Sequence, residues 1–215
     1  MNKKITLSLV AVSLLTAGLS FGAAAHQAGD IIVRAGVAMV APNESSPVVA
    51  DIAEFGVDSD VQLGLNFGYM LTDNVGIELL AASPFSHDVS LGELGKIADS
   101  KQLPPTLVAQ YYFGEPQSAL RPYIGLGVNF TNFYDNEFTQ EAKDLGLNNL
   151  SLSNSWGLAG QVGLDYQIDK RWLVNASVWY AQISTDVSFD LGADHVVVET
   201  DIDPWVYMIS VGYTY

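Results

Sequence analysis

The 215-residue sequence contains no cysteine, few charged residues and very few basic ones. The absence of cysteine excludes a disulfide scaffold, a zinc site with cysteine ligands and a cysteine nucleophile. Charged residues make up 15% of the chain, against about 25% in an ordinary soluble domain. Only 9 residues are basic and 24 are acidic, so the chain cannot form the basic face that a nucleic-acid partner requires. The apolar fraction of 49% is too high for a disordered chain.

The first 25 residues have the organisation of a secretory signal peptide. Lys3 and Lys4 precede an uncharged, mainly apolar stretch over residues 5–19, and small residues follow at Ala23–Ala25. A membrane anchor is the alternative, but the stretch is short and no stop-transfer charges follow it. The sequence therefore predicts cleavage after Ala25, export from the cytoplasm and a single mature domain over residues 26–215.

The mature sequence has a hydrophobic period of two rather than long apolar runs. Apolar residues occupy alternate positions over residues 61–69 and again over residues 205–215. Such alternation predicts β-strands with two different faces. Eight strands are predicted, over residues 30–40, 59–70, 75–83, 105–113, 121–133, 153–167, 172–184 and 204–215. Short turns (71–74, 114–120, 168–171) alternate with long, mostly acidic loops (41–58, 84–104, 134–152, 185–203), of which the third can hold a helix within 137–149.

This alternation of turns and loops predicts an all-β fold, an eight-stranded antiparallel transmembrane β-barrel in the bacterial outer membrane. Such barrels have short periplasmic turns and long extracellular loops, here four of them. Aromatic residues near both strand ends, such as Tyr69 and Trp205, fit the two interfacial girdles of these barrels. The C-terminal Tyr215 resembles the signal that the barrel assembly machinery reads. A secreted, soluble lipocalin-like barrel is the alternative.

The sequence also resembles the OmpW family of small outer-membrane proteins. The segments that carry this resemblance are His26–Gly29, Gln62–Leu65, Tyr69–Asn74, Gly76–Ala82, Leu103–Leu107, Gln110–Gly114, Arg121–Gly125, Ser155–Gly157, Gly160–Asp165 and Asp203–Trp205. Each segment alone is a weak signal, whereas their order and spacing together are specific. The resemblance implies an eight-stranded barrel that passes small hydrophobic molecules across the outer membrane. It also associates apolar residues at the positions of Leu80 and Trp179 with a constriction in the channel.

The strand phases predict a lumen with a polar periplasmic half and an apolar upper half. Small barrels are just wide enough for side chains to fill them, so we expect the lower half to be closed. We expect a polar network formed by Arg34, Glu78, Gln110, Asp165 and Asn175. These residues either only stabilise the barrel or also have a further role. The apolar set is Leu80, Val108, Trp179, Val206 and Met208, which forms either a packed core or a pocket for a nonpolar ligand.

A barrel that is closed below needs another exit for an apolar ligand. Pro104 and Pro105 stand at the outer start of the fourth predicted strand. Because proline cannot donate to a β-ladder, the pair predicts a gap against the third strand and a lateral opening into the bilayer. The other interpretation is that these prolines simply end a loop.

No catalytic, metal-binding or cofactor-binding motif is predicted. His26, His87 and His195 lie far apart in the sequence, and the acidic cluster around His195 matches no calcium loop. We therefore expect no enzyme activity, no metal and no cofactor. The expected partners are outer-membrane lipid and small hydrophobic molecules, and the barrel is expected to be monomeric. Two other functions stay open: a receptor whose loops bind phage, bacteriocin or host surfaces, and a lipid-modifying outer-membrane enzyme.

Overall fold

A computed structural model of the protein describes residues 26–49 and 53–215, so the predicted signal peptide and its cleavage site lie outside the described residues. The described strands are β1 (Ile31–Ala41), β2 (Phe55–Val57), β3 (Asp60–Met70), β4 (Val75–Ala82), β5 (Phe85–Leu91), β6 (Lys96–Leu103), β7 (Thr106–Tyr112), β8 (Leu120–Phe138), β9 (Leu147–Leu152), β10 (Ser155–Gln167), β11 (Trp172–Ala181), β12 (Ser184–Leu191), β13 (Asp194–Asp201) and β14 (Trp205–Thr214). A 3-10 turn spans Gly92–Leu94 and the helix α1 spans Gln140–Asp144.

Eight of these strands close into an antiparallel barrel. Their order is β10-β11-β14-β1-β3-β4-β7-β8, and β8 pairs with β10 to complete the ring. Closure leaves no sheet edge in contact with lipid, where an unpaired backbone group is costly. The eight barrel strands coincide with the eight predicted segments, which confirms the predicted fold.

The long loops contain more structure than the sequence analysis predicts. The strands β6, β5 and β2 continue the sheet from the part of β8 that extends beyond the barrel. A second, three-stranded sheet has the order β13-β12-β9. One buried apolar cluster draws on both sheets, including Phe55, Leu91, Phe138 and Phe189. The helix expected in the third loop is present as α1, where the Thr139 side chain accepts a hydrogen bond from the Ala142 amide.

The outer face of the barrel is apolar and exposed, as lipid contact requires. Large side chains at alternate strand positions point outward, for example Val37, Leu126 and Ile209. Aromatic side chains on this face lie near the strand ends, where they contact one another as Trp172–Tyr213 and Phe130–Trp156. No helix in the described part of the chain is long and apolar enough to span a bilayer.

Replacement of Ile209 with arginine is expected to destabilise the barrel by about 2–4 kcal/mol, because a charge near the middle of the lipid face loses its hydration. Ile209 lies in the middle of β14 and is 70% exposed on the outer face. The free energy of unfolding in phospholipid vesicles, measured by urea titration, checks this. Leu145→Arg is the control, because Leu145 is also exposed but follows α1 in an extracellular loop. Equal effects of the two changes would contradict the lipid-facing assignment of β14.

Candidate functional site

A buried network of charged and polar side chains fills the periplasmic half of the barrel. The Arg34 guanidinium donates hydrogen bonds to the carboxylates of Glu78 and Asp165 and to the Tyr112 hydroxyl. Asn175 donates to Asp165 Oδ1 over 2.7 Å. Arg34 and Glu78 are fully buried, so the two carboxylates and the guanidinium compensate each other where water is excluded. The predicted pairing of Arg34 with Glu78 and Asp165 is present in the structure.

The remaining predicted member, Gln110, joins this network through a second chain of hydrogen bonds. Its Nε2 donates to Gln161 Oε1 over 2.9 Å, and Gln161 Nε2 donates to Glu78 Oε1 over 2.9 Å. The Tyr112 hydroxyl also donates to Gln110 Oε1 over 3.0 Å. All five polar residues predicted for the lower lumen therefore belong to one connected network.

Two glycines make room for the large side chains of the network. A Cβ at Gly212, the cross-strand partner of Arg34, would lie 3.0 Å from Arg34 Cγ and even closer to Leu173. A Cβ at Gly163 would lie 2.2 Å from Cζ of the Tyr123 ring. The Tyr123 hydroxyl in turn accepts a hydrogen bond from Asn175 over 2.8 Å. The glycines on the lumen face thus allow a narrow barrel to hold Arg34 and Tyr123 side by side.

Several residues of the network were not among the predicted site residues, including Tyr112, Tyr123, Gln161, Arg121 and His26. Gln161 lies on the same face of β10 as Asp165, and Arg121 lies on the same face of β8 as Tyr123. Both therefore face the lumen, so strand periodicity alone could have identified them. His26 precedes β1 and has no such signal. Its buried ring contacts Asp165 Oδ2 at 2.7 Å, and Arg121 donates to its backbone carbonyl. The segment around His26 therefore lies in the periplasmic mouth and helps to close it.

The five predicted apolar lumen residues pack together above this network. Leu80, Val108, Trp179, Val206 and Met208 belong to one buried cluster, which also contains Ala38, Val40 and Phe85. Trp179 is only 2% exposed, and its indole Nε1 donates to Ser177 Oγ over 3.2 Å. The cluster forms an apolar layer across the lumen, directly above the polar network.

Two apolar cavities lie on the extracellular side of this layer. The lower cavity is at the rim of the barrel, where Leu80, Phe85, Pro104, Trp179 and Val206 contribute to its wall. The upper cavity lies between the two extracellular sheets. Apolar side chains from β2, β5, β8, β9 and β12 dominate its wall. Gln102 lines both cavities, so the two are adjacent.

The two prolines lie where the ladder between β4 and β7 ends. The last cross-strand pair is Leu80 with Thr106, although β4 continues to Ala82. On the other side, the Pro105 carbonyl accepts a hydrogen bond from the Phe130 amide over 3.0 Å, so the prolines are attached to β8. Pro104 also lines the lower cavity. The end of the β4–β7 ladder therefore lies beside the lower cavity.

Comparison with known proteins identifies the family of this chain. The sequence profile of the "OmpW family" matches residues 27–215. The chain belongs to the OmpW family. It is 48% identical over 214 residues to "Outer membrane protein W" of Vibrio cholerae serotype O1, covering 97% of this chain and 99% of that protein. The protein of the same name from Escherichia coli K12 is also 48% identical, over 99% of this chain and 100% of its own length.

A solved structure of an outer membrane protein is also similar to this chain. The crystal structure of the outer membrane protein OprG from Pseudomonas aeruginosa has a TM-score of 0.83 and 47% sequence identity to this chain. The match covers 89% of this chain and 98% of that structure. These findings confirm the OmpW resemblance, the barrel fold and the outer-membrane location, so the apolar outer face is in contact with membrane lipid. The relatives are named as outer membrane proteins rather than as enzymes.

The histidines and the acidic cluster of the extracellular loops are not brought together as a site. His195 contacts Asp190 at 2.8 Å on the exposed side of the second extracellular sheet. Asp201 accepts a hydrogen bond from Ser184, and Asp203 accepts one from the Tyr180 hydroxyl. Among the described residues there is no group of three or more His, Asp or Glu side chains placed to hold a metal ion.

Proposed function

We propose that this OmpW-family barrel takes up small hydrophobic molecules from outside and releases them sideways into the outer membrane. The observation that supports this proposal is the pair of adjacent apolar cavities above a filled barrel base. Pockets for apolar ligands have mainly apolar walls with a few placed polar groups, which is the character of both cavities. The relatives are named as outer membrane proteins, and the proposed role is that of a non-enzymatic passage.

Axial passage through the base is disfavoured by its charges. A ligand that moved down the lumen would have to displace Trp179 and then separate Arg34 from Glu78 and Asp165. Separating a buried ion pair leaves uncompensated charges, which costs several kcal/mol. The energetically easier direction is outward, from the lower cavity into the bilayer.

The proposed lateral exit lies at Pro104 and Pro105. The β4–β7 ladder ends at Leu80 and Thr106, and pairing resumes between Phe85 on β5 and Gln102 on β6. In the short stretch between these two pairs, no cross-strand pair joins residues 81–84 to residues 103–105. Proline cannot supply the missing donors. A ligand beside Pro104 is thus separated from lipid by one layer of protein, and the strands of that layer are weakly paired here.

Restoring strand pairing at this position is expected to slow the uptake of hydrophobic molecules several-fold. The variant Pro104→Val/Pro105→Val supplies two backbone donors and two β-branched side chains, which favour an extended ladder. The uptake of N-phenyl-1-naphthylamine into lipid vesicles that contain the purified barrel measures the effect. Pro116→Val is the control, since Pro116 lies in a periplasmic turn. Unchanged uptake by a correctly folded double variant would contradict the lateral exit.

The remaining partners are proposed from the sequence and the membrane location. Tyr215 follows β14, whose apolar residues alternate along the strand, and it is the proposed contact with the barrel assembly machinery. The closed eight-strand ring satisfies its own strand edges, which is compatible with the proposed monomer. Neither proposal requires a cofactor.

A further inference from the structure

His87 and Gln102 form a polar pair in the otherwise apolar wall of the upper cavity. Both side chains are buried, and both line that cavity. His87 lies on β5 and Gln102 near the end of the neighbouring strand β6. His87 Nε2 and Gln102 Nε2 are 2.8 Å apart, and His87 Nδ1 is 2.5 Å from the backbone carbonyl oxygen of Asp58.

The Asp58 carbonyl fixes the direction of this hydrogen-bond chain. A carbonyl oxygen can only accept, so His87 Nδ1 carries the hydrogen and donates it to Asp58. In a neutral imidazole Nε2 is then an acceptor, which requires Gln102 to present its NH₂ group to His87. Burial lowers the pKa of His87, which favours this neutral form. The amide oxygen of Gln102 is therefore turned away from His87.

Gln102 Oε1 is left as a buried acceptor without a partner. Within residues 26–49 and 53–215, no other side-chain nitrogen or oxygen of the residues that line either cavity is both buried and without a hydrogen bond. Ser100 donates to Asn136, Thr185 to the Ser153 carbonyl and Thr106 to the Pro104 carbonyl. Buried polar groups are usually paired, so a lone acceptor where two cavities meet is available to a bound group.

We infer that Gln102 Oε1 accepts a hydrogen bond from a hydroxyl or amine group on an otherwise apolar ligand. This inference rests on the proposed passage of hydrophobic molecules, and it specifies their class as apolar compounds with one hydrogen-bond donor, such as phenols and fatty alcohols. His87 is the positioning residue, because it holds the amide of Gln102 in the orientation that presents the oxygen. A ligand with a donor gains one hydrogen bond at this point, whereas a pure hydrocarbon leaves the acceptor unpaired.

The test compares two probes of nearly equal size, 1-naphthol and 1-methylnaphthalene. Their equilibrium binding is measured on the full barrel in lipid nanodiscs, with empty nanodiscs as the reference for partition into lipid. We expect the wild-type barrel to favour 1-naphthol by about 2- to 10-fold, the contribution of one neutral hydrogen bond. The variant Gln102→Met keeps the length of the side chain and removes the acceptor. It is expected to abolish the preference, so that the two probes bind equally well relative to each other.

Two further variants separate a binding role from a structural one. Gln140→Met makes the same change on the exposed face of α1 and is expected to keep the preference. His87→Phe keeps Gln102 but removes its orienting partner, and the aromatic ring can retain the contact with Phe85, so the preference is expected to fall without loss of folding. A contradicting result is that both probes bind with the same ratio of 1-naphthol affinity to 1-methylnaphthalene affinity in the wild type, Gln102→Met and His87→Phe. In that case the inference is wrong and the proposed passage stands. If neither probe binds above empty nanodiscs, the proposed passage fails and the inference with it.

Discussion

Replacement of Arg34 with methionine is expected to destabilise the barrel by about 3–5 kcal/mol, the cost of removing one partner from a buried ion pair. The guanidinium of Arg34 contacts both Glu78 and Asp165, and all three groups are buried in the lumen. Methionine fills a similar volume, so the loss reflects the two carboxylates that are left without their cation rather than a cavity. Urea titration of the barrel in phospholipid vesicles, followed by Trp fluorescence, measures the free energy of unfolding.

Neutralisation of the carboxylates separates the charge effect from other causes. The triple variant Arg34→Met/Glu78→Gln/Asp165→Asn is expected to recover a large part of the lost stability, because no uncompensated charge is left. Arg171→Met is the matched control. Arg171 lies in an exposed periplasmic turn, where its guanidinium donates to the Tyr213 hydroxyl, so little change is expected. If Arg34→Met and the triple variant were equally unstable, packing rather than charge would be the main contribution of Arg34.

The barrel and its lumen could be predicted because lipid imposes a simple rule on each strand. Every second residue faces lipid and must be apolar, so a polar residue such as Arg34 or Asp165 inside a strand has to face the lumen. Closure then brings lumen residues of distant strands within reach of one another. For this reason the contact of Arg34 on β1 with Glu78 on β4 and Asp165 on β10 follows from strand phase together with barrel closure.

The extracellular sheets could not be predicted with the same rule, although their strands carry a pattern of period two. Phe85, Val89 and Leu91 alternate with polar residues on β5, but the segment is short and stands among acidic residues that are typical of solvent-exposed loops. What orders these strands is their packing against a second sheet, including the contact of Phe138 with Phe189. Such a contact joins loops that are far apart in the sequence. The hydrophobic period of a single strand does not indicate which other loop it packs against.

Gln102 and His26 show the same limit for the candidate site. Neither residue lies in one of the eight predicted barrel strands, so phase assigned no direction to either side chain. The role inferred for Gln102 depends on the orientation of His87, which in turn depends on the backbone carbonyl of Asp58. The contact of His26 with Asp165 depends on how the segment before β1 enters the periplasmic mouth. Both are set by tertiary structure rather than by local sequence.

Replacement of Trp179 with alanine is expected to cost about 3–5 kcal/mol of stability and to leave the lateral uptake of hydrophobic probes unimpaired. The indole is 2% exposed and packs in the apolar layer with Leu80, Val108 and Met208. Its removal creates a void between the lower cavity and the polar network, which enlarges the cavity downward. The network of Arg34, Glu78 and Asp165 below stays intact, so the base remains closed and single-channel conductance in planar bilayers is expected to equal that of the wild type.

The matched control is Trp156→Ala, since Trp156 is 74% exposed on the outer face and contacts Phe130. A smaller loss of stability is expected there, because no void forms in the lumen. Uptake of N-phenyl-1-naphthylamine by both variants in vesicles distinguishes the two routes for the ligand. If ligands leave sideways at Pro104 and Pro105, the Trp179 layer is the floor of the route, and its removal does not accelerate uptake. A several-fold faster uptake by Trp179→Ala, together with a rise in conductance, would show instead that Trp179 is the barrier on an axial route through the barrel.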